Sequence, residues 1–205
     1  MRAPFSVSAS VLTLAPEKGI WYRALQTHFL PTALSTKHTK TVSSRFSGAA
    51  PGAPGYTILY LAENHLVALL EVQALLGSPT TPGGLVPHPH STWTTLNVTV
   101  SLQHVADLTD LKSQSHLEIT AQELMGDWLG YHLRSPYTTV KNPTGLAPTQ
   151  DLGAALYNVP DLEGFKSLSA KVPYHQILVV FPDKLLSGSR ISWFNPLTGS
   201  DESLP

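Results

Sequence analysis

Polar and apolar residues alternate most cleanly over 96–102. Leu96, Val98, Val100 and Leu102 share one parity, and Asn97, Thr99 and Ser101 the other. A period of two predicts a strand buried on one face. Gln-Ile-Leu-Val-Val-Phe at 176–181 is continuously apolar and predicts a strand covered on both faces. Shorter β-rich runs at 19–25, 57–62 and 191–194, and a turn into a strand at 164–170, bring the total to about six strands.

The pattern turns helical after Asn64, which offers an N-cap, and Gly77 with Pro79 offers a stop. Leu66, Val67, Leu69, Leu70, Val72, Leu75 and Leu76 leave this helix almost no polar face, which predicts burial. Thr120 and Glu123 form a capping box that opens a helix over 120–133, ended by Pro136, with Trp128 read as core. A short helix is predicted over 149–157. Loops are expected at 28–41, at 141–148 and at 78–91, the last with four prolines and two glycines. Ser-Ser-Arg-Phe-Ser-Gly at 43–48, followed by Pro51, Gly52, Pro54 and Gly55, predicts a mobile, donor-rich loop. The strands are spaced too irregularly for a doubly wound sheet, and no Gly-x-Gly-x-x-Gly follows one. The expectation is a single α+β domain over 19–197, with a split, mainly antiparallel sheet and flanking helices. An entry segment, 1–18, precedes it and a tail, 198–205, follows.

Composition narrows the function. The chain has 205 residues, 42% hydrophobic and 13% charged, which suits one substantial domain. A net charge of −1 supplies no basic field for nucleic acid or an anionic membrane. There is no cysteine, which excludes disulfides, thiol nucleophiles and cysteine-bound zinc and fits a reducing compartment. The histidines are scattered. His88-Pro89-His90 lacks a third ligand nearby, so no metal is expected. No apolar run is long enough to span a bilayer, and 8–15 is too short for a signal peptide. Asn97-Val98-Thr99 matches a glycosylation sequon inside a predicted strand.

Two charged side chains, Glu71 and Arg23, interrupt apolar surroundings. Glu71 falls in the middle of the predicted helix, with Val67, Ala68, Ala74 and Leu75 as its neighbours at three and four positions. A carboxylate there is costly unless it is paired or opens into a polar cleft. It is either half of a structural ion pair with an arginine or a catalytic group on a pocket floor. Arg23 interrupts the first strand, either as an edge-strand arginine with its head in water or as an anion ligand. Arg45, in the polar loop, reads as solvated.

In order along the chain, Trp21-Tyr22-Arg23, Ser44-Arg45-Phe46-Ser47, Ile58-Leu59-Tyr60-Leu61-Ala62-Glu63, Ala68-Leu69-Leu70-Glu71-Val72 and Gly164 through Ser169-Ala170-Lys171 resemble the RES-domain family. That family is named for an arginine, a glutamate and a serine, matched here by Arg23, Glu71 and Ser169. The resemblance runs from about 19 to 196, and the 60–71 block is its most specific part. It implies an ADP-ribosyltransferase-like fold and a cytoplasmic bacterial toxin that consumes NAD or transfers ADP-ribose to a protein target. Its partner would be a separate Xre-like antitoxin that blocks the active site. It further implies Glu71, Arg23 and Ser169 as catalytic residues, and Arg23, Arg45, Tyr60, Tyr22 and Ser169 as NAD-binding ones.

Two departures stand out. The family's arginine loop usually reads Gly-Arg-Trp-Asn, and its serine often follows proline where Leu168 stands here. Ser167, on the same predicted face, is an alternative to Ser169. The residue types suit the implied chemistry. Arginines match phosphate oxygens by paired hydrogen bonds, and a carboxylate near the ribose stabilises the oxocarbenium charge of glycosidic cleavage. Tyr60 reads either as core or as a ring that stacks on nicotinamide. The competing reading is a catalytically silent module that binds only a nucleotide or an antitoxin.

Overall fold

A computed structural model of the chain describes residues 7–49, 55–77, 84–89, 91–133 and 146–205. In chain order the elements are β1 (Leu14–Gln26), β2 (Leu59–Ala62), α1 (His65–Glu71), β3 (Leu75–Gly77), β4 (Leu85–Pro87), β5 (Trp93–Asp107), α2 (Leu111–His116), α3 (Ala121–Leu124), α4 (Trp128–Leu133), α5 (Pro148–Tyr157), β6 (Gly164–Leu168), β7 (Gln176–Val180), β8 (Arg190–Asn195) and β9 (Ser200–Leu204).

The predicted α+β character and mainly antiparallel pairing hold, but the sheet is not split. Strands run in the order β1-β2-β7-β6-β5, and β5 pairs back onto β1, so five strands close into a ring. Closure depends on the two long strands, which pair antiparallel from Leu14↔Ala106 to Gln26↔Trp93 with one register shift between Ala15 and Glu17. The opposite edge of β5 is shared. β8 pairs at 99–101, and β6 pairs in parallel at 105–107. Gln103 and His104 fall in the gap between these partners. Glu163 fills it: one carboxylate oxygen accepts from Gln103 N at 2.7 Å and His104 N at 2.8 Å, and the other from Leu186 N at 2.9 Å. This side chain is fully buried, and its bonds replace those that a sheet neighbour would otherwise make.

Alternation along the strands separates two cores. Leu96, Val98, Val100 and Leu102 on β5 fill the ring with Trp21, Leu25, Leu59, Leu61, Leu178 and Val180. Ile177, Val179, Phe181 and Phe165 face outward and are covered by helices through Val67, Leu70, Leu124, Leu152 and Leu156. The period-two reading of 96–102 is therefore borne out, as is the strand predicted at 176–181.

The helix predicted after Asn64 starts as expected, with the Asn64 side chain accepting from Val67 N at 2.9 Å. It ends at Glu71, earlier than Gly77. Gln73 turns to φ 58, Ala74 N donates to Leu69 O at 2.8 Å, and Gln73 N donates to Leu70 O at 3.0 Å. These two bonds and the left-handed residue are those of a Schellman cap. Leu75 and Leu76 then lie on β3, which pairs with β4 as a small hairpin. Continuous burial also fails: Leu66, Val72 and Leu76 are partly exposed. The predicted helix over 120–133 keeps its capping box but breaks at 125–127 into α3 and α4. Within the expected tail, polar Ser200–Leu204 pairs with β8, and Glu202 anchors it through Trp193 Nε1 at 3.3 Å and Asn195 Nδ2 at 2.5 Å. Residues 27–32 and 37–40 of the expected loop are short 3-10 turns. The expectations at 1–6, Pro51, Gly52, Pro54, Pro79, His90, Pro136 and 141–145 lie outside the described residues. Among the described residues, no helix is long and apolar enough to cross a membrane.

Candidate active site

The ring is weakest between β1 and β2, where one registered pair, Tyr22↔Ala62, joins the strands. A cleft of about 470 Å³ opens beside this seam, within the range of small-molecule sites. Tyr22, Arg23, Arg45, Tyr60 and Glu71 all line it, although 49 positions separate the first and last of them in sequence. Ser169 is not on its wall.

Glu71 reaches the cleft because α1 stops there. The residues expected to surround its carboxylate with apolar groups, Ala74 and Leu75, have left the helix. Instead, one oxygen, Oε1, accepts from Ser169 Oγ at 2.5 Å and from Ala170 N at 2.9 Å. Among the described residues Oε2 takes no bond, and no ion pair joins Glu71 to Arg23. The structural-pair reading of Glu71 and Arg23 is therefore not what the fold contains.

Ser169 is fully buried beneath this carboxylate. Its hydroxyl donates to Glu71 and accepts from Lys171 N at 3.2 Å and Val172 N at 3.0 Å. These three bonds use its one donor and both acceptor positions. Ser167, the alternative, is buried with an unpartnered hydroxyl and does not line the cleft.

Arg45 is not solvated, and its turn is not a loose loop. Phe46 is fully buried against Phe165, ring centroids 5.0 Å apart and edge to face. Ser44 N donates to Ser47 O at 2.7 Å. The Tyr60 hydroxyl accepts from Phe46 N and bonds Ser44 Oγ, both at 2.9 Å. Gln150 Nε2 donates to Ser44 O at 2.9 Å. Gly153 lets α5 lie against the turn, because a Cβ there would sit 2.0 Å from Phe46 O. Burial pushes the Tyr60 phenol up to about 12, so it stays neutral and keeps these contacts.

Arg45 donates from Nη2 to Leu168 O at 2.7 Å and to Leu124 O, bracing the ends of β6 and α3. Among the described residues, its Nε and Nη1 are buried without a hydrogen-bond partner. Nη1 of Arg23 is likewise buried and unpartnered. Burial pulls the Arg23 guanidinium down to about 10, which still leaves it charged at neutral pH. Two desolvated cations with free donors, facing a carboxylate with a free oxygen, suit an anionic ligand that also carries hydroxyls.

Several cleft residues carried no recognisable signal in the sequence: His38, Gln73 and Asp127. Trp128, expected in the core, is half-buried and lines the cleft beside Met125 and Leu129. The break between α3 and α4 turns it there. Among the described residues, no group of three or more histidine, aspartate or glutamate side chains is disposed to hold a metal ion.

The fold is similar to the crystal structure of the M. tuberculosis MbcT–MbcA toxin–antitoxin complex. The TM-score is 0.59 at 15% sequence identity, over 90% of this chain and 88% of that one. Against curated protein sequences the chain finds no match. The RES domain profile matches residues 20–195, a span that contains every cleft residue named above, and the chain belongs to the RES domain family.

Proposed function

We propose that this chain is a RES-type toxin that cleaves the nicotinamide–ribose bond of NAD. It would either deplete NAD or transfer ADP-ribose to a protein, and it would act in the cytoplasm under the control of a separate antitoxin. The observation that carries this reading is the pairing of two buried arginines, each with unpartnered donors, with a half-satisfied carboxylate in one cleft. NAD presents the complementary groups: a diphosphate for the arginines and ribose hydroxyls for the carboxylate.

In this reading Arg23 and Arg45 hold the diphosphate in ground and transition states alike. The free oxygen of Glu71 accepts from a hydroxyl of the nicotinamide ribose. As the C1′–N bond breaks, its electron pair goes to the pyridinium nitrogen and nicotinamide leaves neutral. Positive charge grows on the ribose, and the fixed carboxylate stabilises it. Water, phosphate or a protein nucleophile then bonds C1′ and gives up its proton. Ser169 and Ala170 N keep the carboxylate oriented, so little reorganisation is needed as the charge develops.

A cleft whose cations lack partners also suits an anionic group from an inhibitor. The neighbouring structure is a toxin–antitoxin complex by its own description. The antitoxin of this chain would cover the cleft and stop turnover.

The test is incubation of purified, folded protein with NAD alone, with phosphate and with cell lysate. Nicotinamide release, with identification of the ADP-ribose product, is expected in at least one condition. No release in any of them overturns the enzymatic reading in favour of a silent binding module.

A further inference from the structure

The donors at the Arg23 end of the cleft do not stop at the arginines. Thr39 pins the turn Lys37–Lys40 to the approach of β2: its hydroxyl donates to Thr36 O at 2.6 Å and accepts from Ile58 N at 3.1 Å. Gly55 N adds a bond to Lys40 O at 2.9 Å. The turn so fixed presents His38 on the cleft wall near Arg23. Arg23 brings to the same place a buried Nη1 with no partner.

We propose that His38 is a third ligand of the substrate's diphosphate and takes up a proton when the diphosphate binds. This rests on the NAD reading of the cleft, which supplies the diphosphate. Burial and the Arg23 charge hold the His38 imidazole below its ordinary value of 6.5, so it is neutral at pH 7 in the empty cleft. Two negative charges against Arg23 reverse that balance. They offset the repulsion and give the second imidazole N–H an acceptor. The other charged groups nearby are Lys37 and Lys40 on the same turn, and Arg45, Glu71, Asp127 and Lys171 around the cleft. The neighbouring lysines favour an anion and do not supply the missing negative charge.

The sign of the pH dependence follows. Below the free-state pKa His38 is already charged, and affinity is independent of pH. Between the free and bound values affinity weakens as pH rises, by up to about tenfold per unit. Above the bound value it levels off.

ADP-ribose is the probe. Its diphosphate is doubly esterified and keeps its charge across neutral pH, and it lacks the bond to be cleaved. Calorimetry in two buffers of different ionisation enthalpy, at pH 7, counts the protons taken up. The expected result is uptake approaching one proton per ADP-ribose, abolished in His38→Asn. That variant should bind about tenfold to a hundredfold more weakly at pH 6, the size of one charge-assisted hydrogen bond. His38→Lys should restore tight binding with no uptake. Uptake that is absent, or unchanged in His38→Asn, overturns the inference, as does a failure to bind ADP-ribose. A protein that releases nicotinamide without proton uptake keeps the NAD reading and loses this one. A protein that binds ADP-ribose with uptake yet never releases nicotinamide does the reverse.

Discussion

Glu163 and Glu71 both accept hydrogen bonds from backbone N–H groups, and the difference between them contrasts a scaffold carboxylate with one on the cleft. Glu163, in the gap along β5, is fully buried and has both oxygens filled by Gln103, His104 and Leu186. Glu71, at the end of α1, has one oxygen filled by Ser169 and Ala170, and the other free in the cleft. A buried charge is tolerated when both oxygens accept hydrogen bonds, and Glu163 meets that condition within the chain. Around Glu71 the condition is unmet on both sides, because Arg23 and Arg45 also keep unpartnered donors. Under the proposed function, the diphosphate and ribose of NAD would take up these free groups.

The comparison is broken most directly at Glu71. Glu71→Gln keeps an oxygen for Ser169 and Ala170 but removes the charge, so turnover of NAD should fall by about 10²–10³. NAD affinity and melting temperature should change little. A variant with the wild-type rate would remove Glu71 from catalysis. Glu163→Ala should do the opposite. It strands three part-buried N–H groups, so stability should drop by on the order of 3 kcal/mol. The Michaelis constant of the fraction that stays folded should be unchanged. Calorimetric melting beside steady-state kinetics distinguishes the two outcomes.

Arg23→Ala sharpens the contrast from the cationic side. Loss of a phosphate ligand used in both ground and transition states should raise the Michaelis constant about tenfold, with kcat less affected. The melting temperature should hold or rise, because the variant removes a desolvated cation that has no ion pair to lose. A fall would show that Arg23 is structural after all. Ser169→Ala tests the support beneath the carboxylate. Glu71 would keep its bond from Ala170 N but lose its second anchor, so kcat should fall about tenfold at a constant Michaelis constant. Lys171 N and Val172 N would also lose an acceptor, so stability should fall by about 1–3 kcal/mol. If the Michaelis constant rose instead, the serine would be touching substrate.

What the chain announced by itself was carried by neighbours in sequence. The alternation of 96–102 made β5 legible because side-chain parity is a local property of an extended strand. Asn64 before α1 and Thr120 with Glu123 before α3 were legible because a cap needs only three following residues. The family motif supplied Tyr22, Arg23, Arg45, Tyr60 and Glu71, and the fold brings those five to one cleft.

The rest depended on partners far along the chain. No local signal could end α1 at Glu71, because the apolar run continues to Leu76. The stop comes from a left-handed Gln73 and from β4 arriving to pair with β3. Arg45 looked solvated because its acceptors, Leu124 O and Leu168 O, lie 79 and 123 residues away. The bond from Ser169 to Glu71 spans 98 residues and had no local signal. Closure of the ring rests on the β1–β5 pairing across the whole first half of the chain. A short segment can specify its own dihedral angles and caps. Which buried charge is satisfied, and which is left free for a ligand, is decided only when distant strands meet.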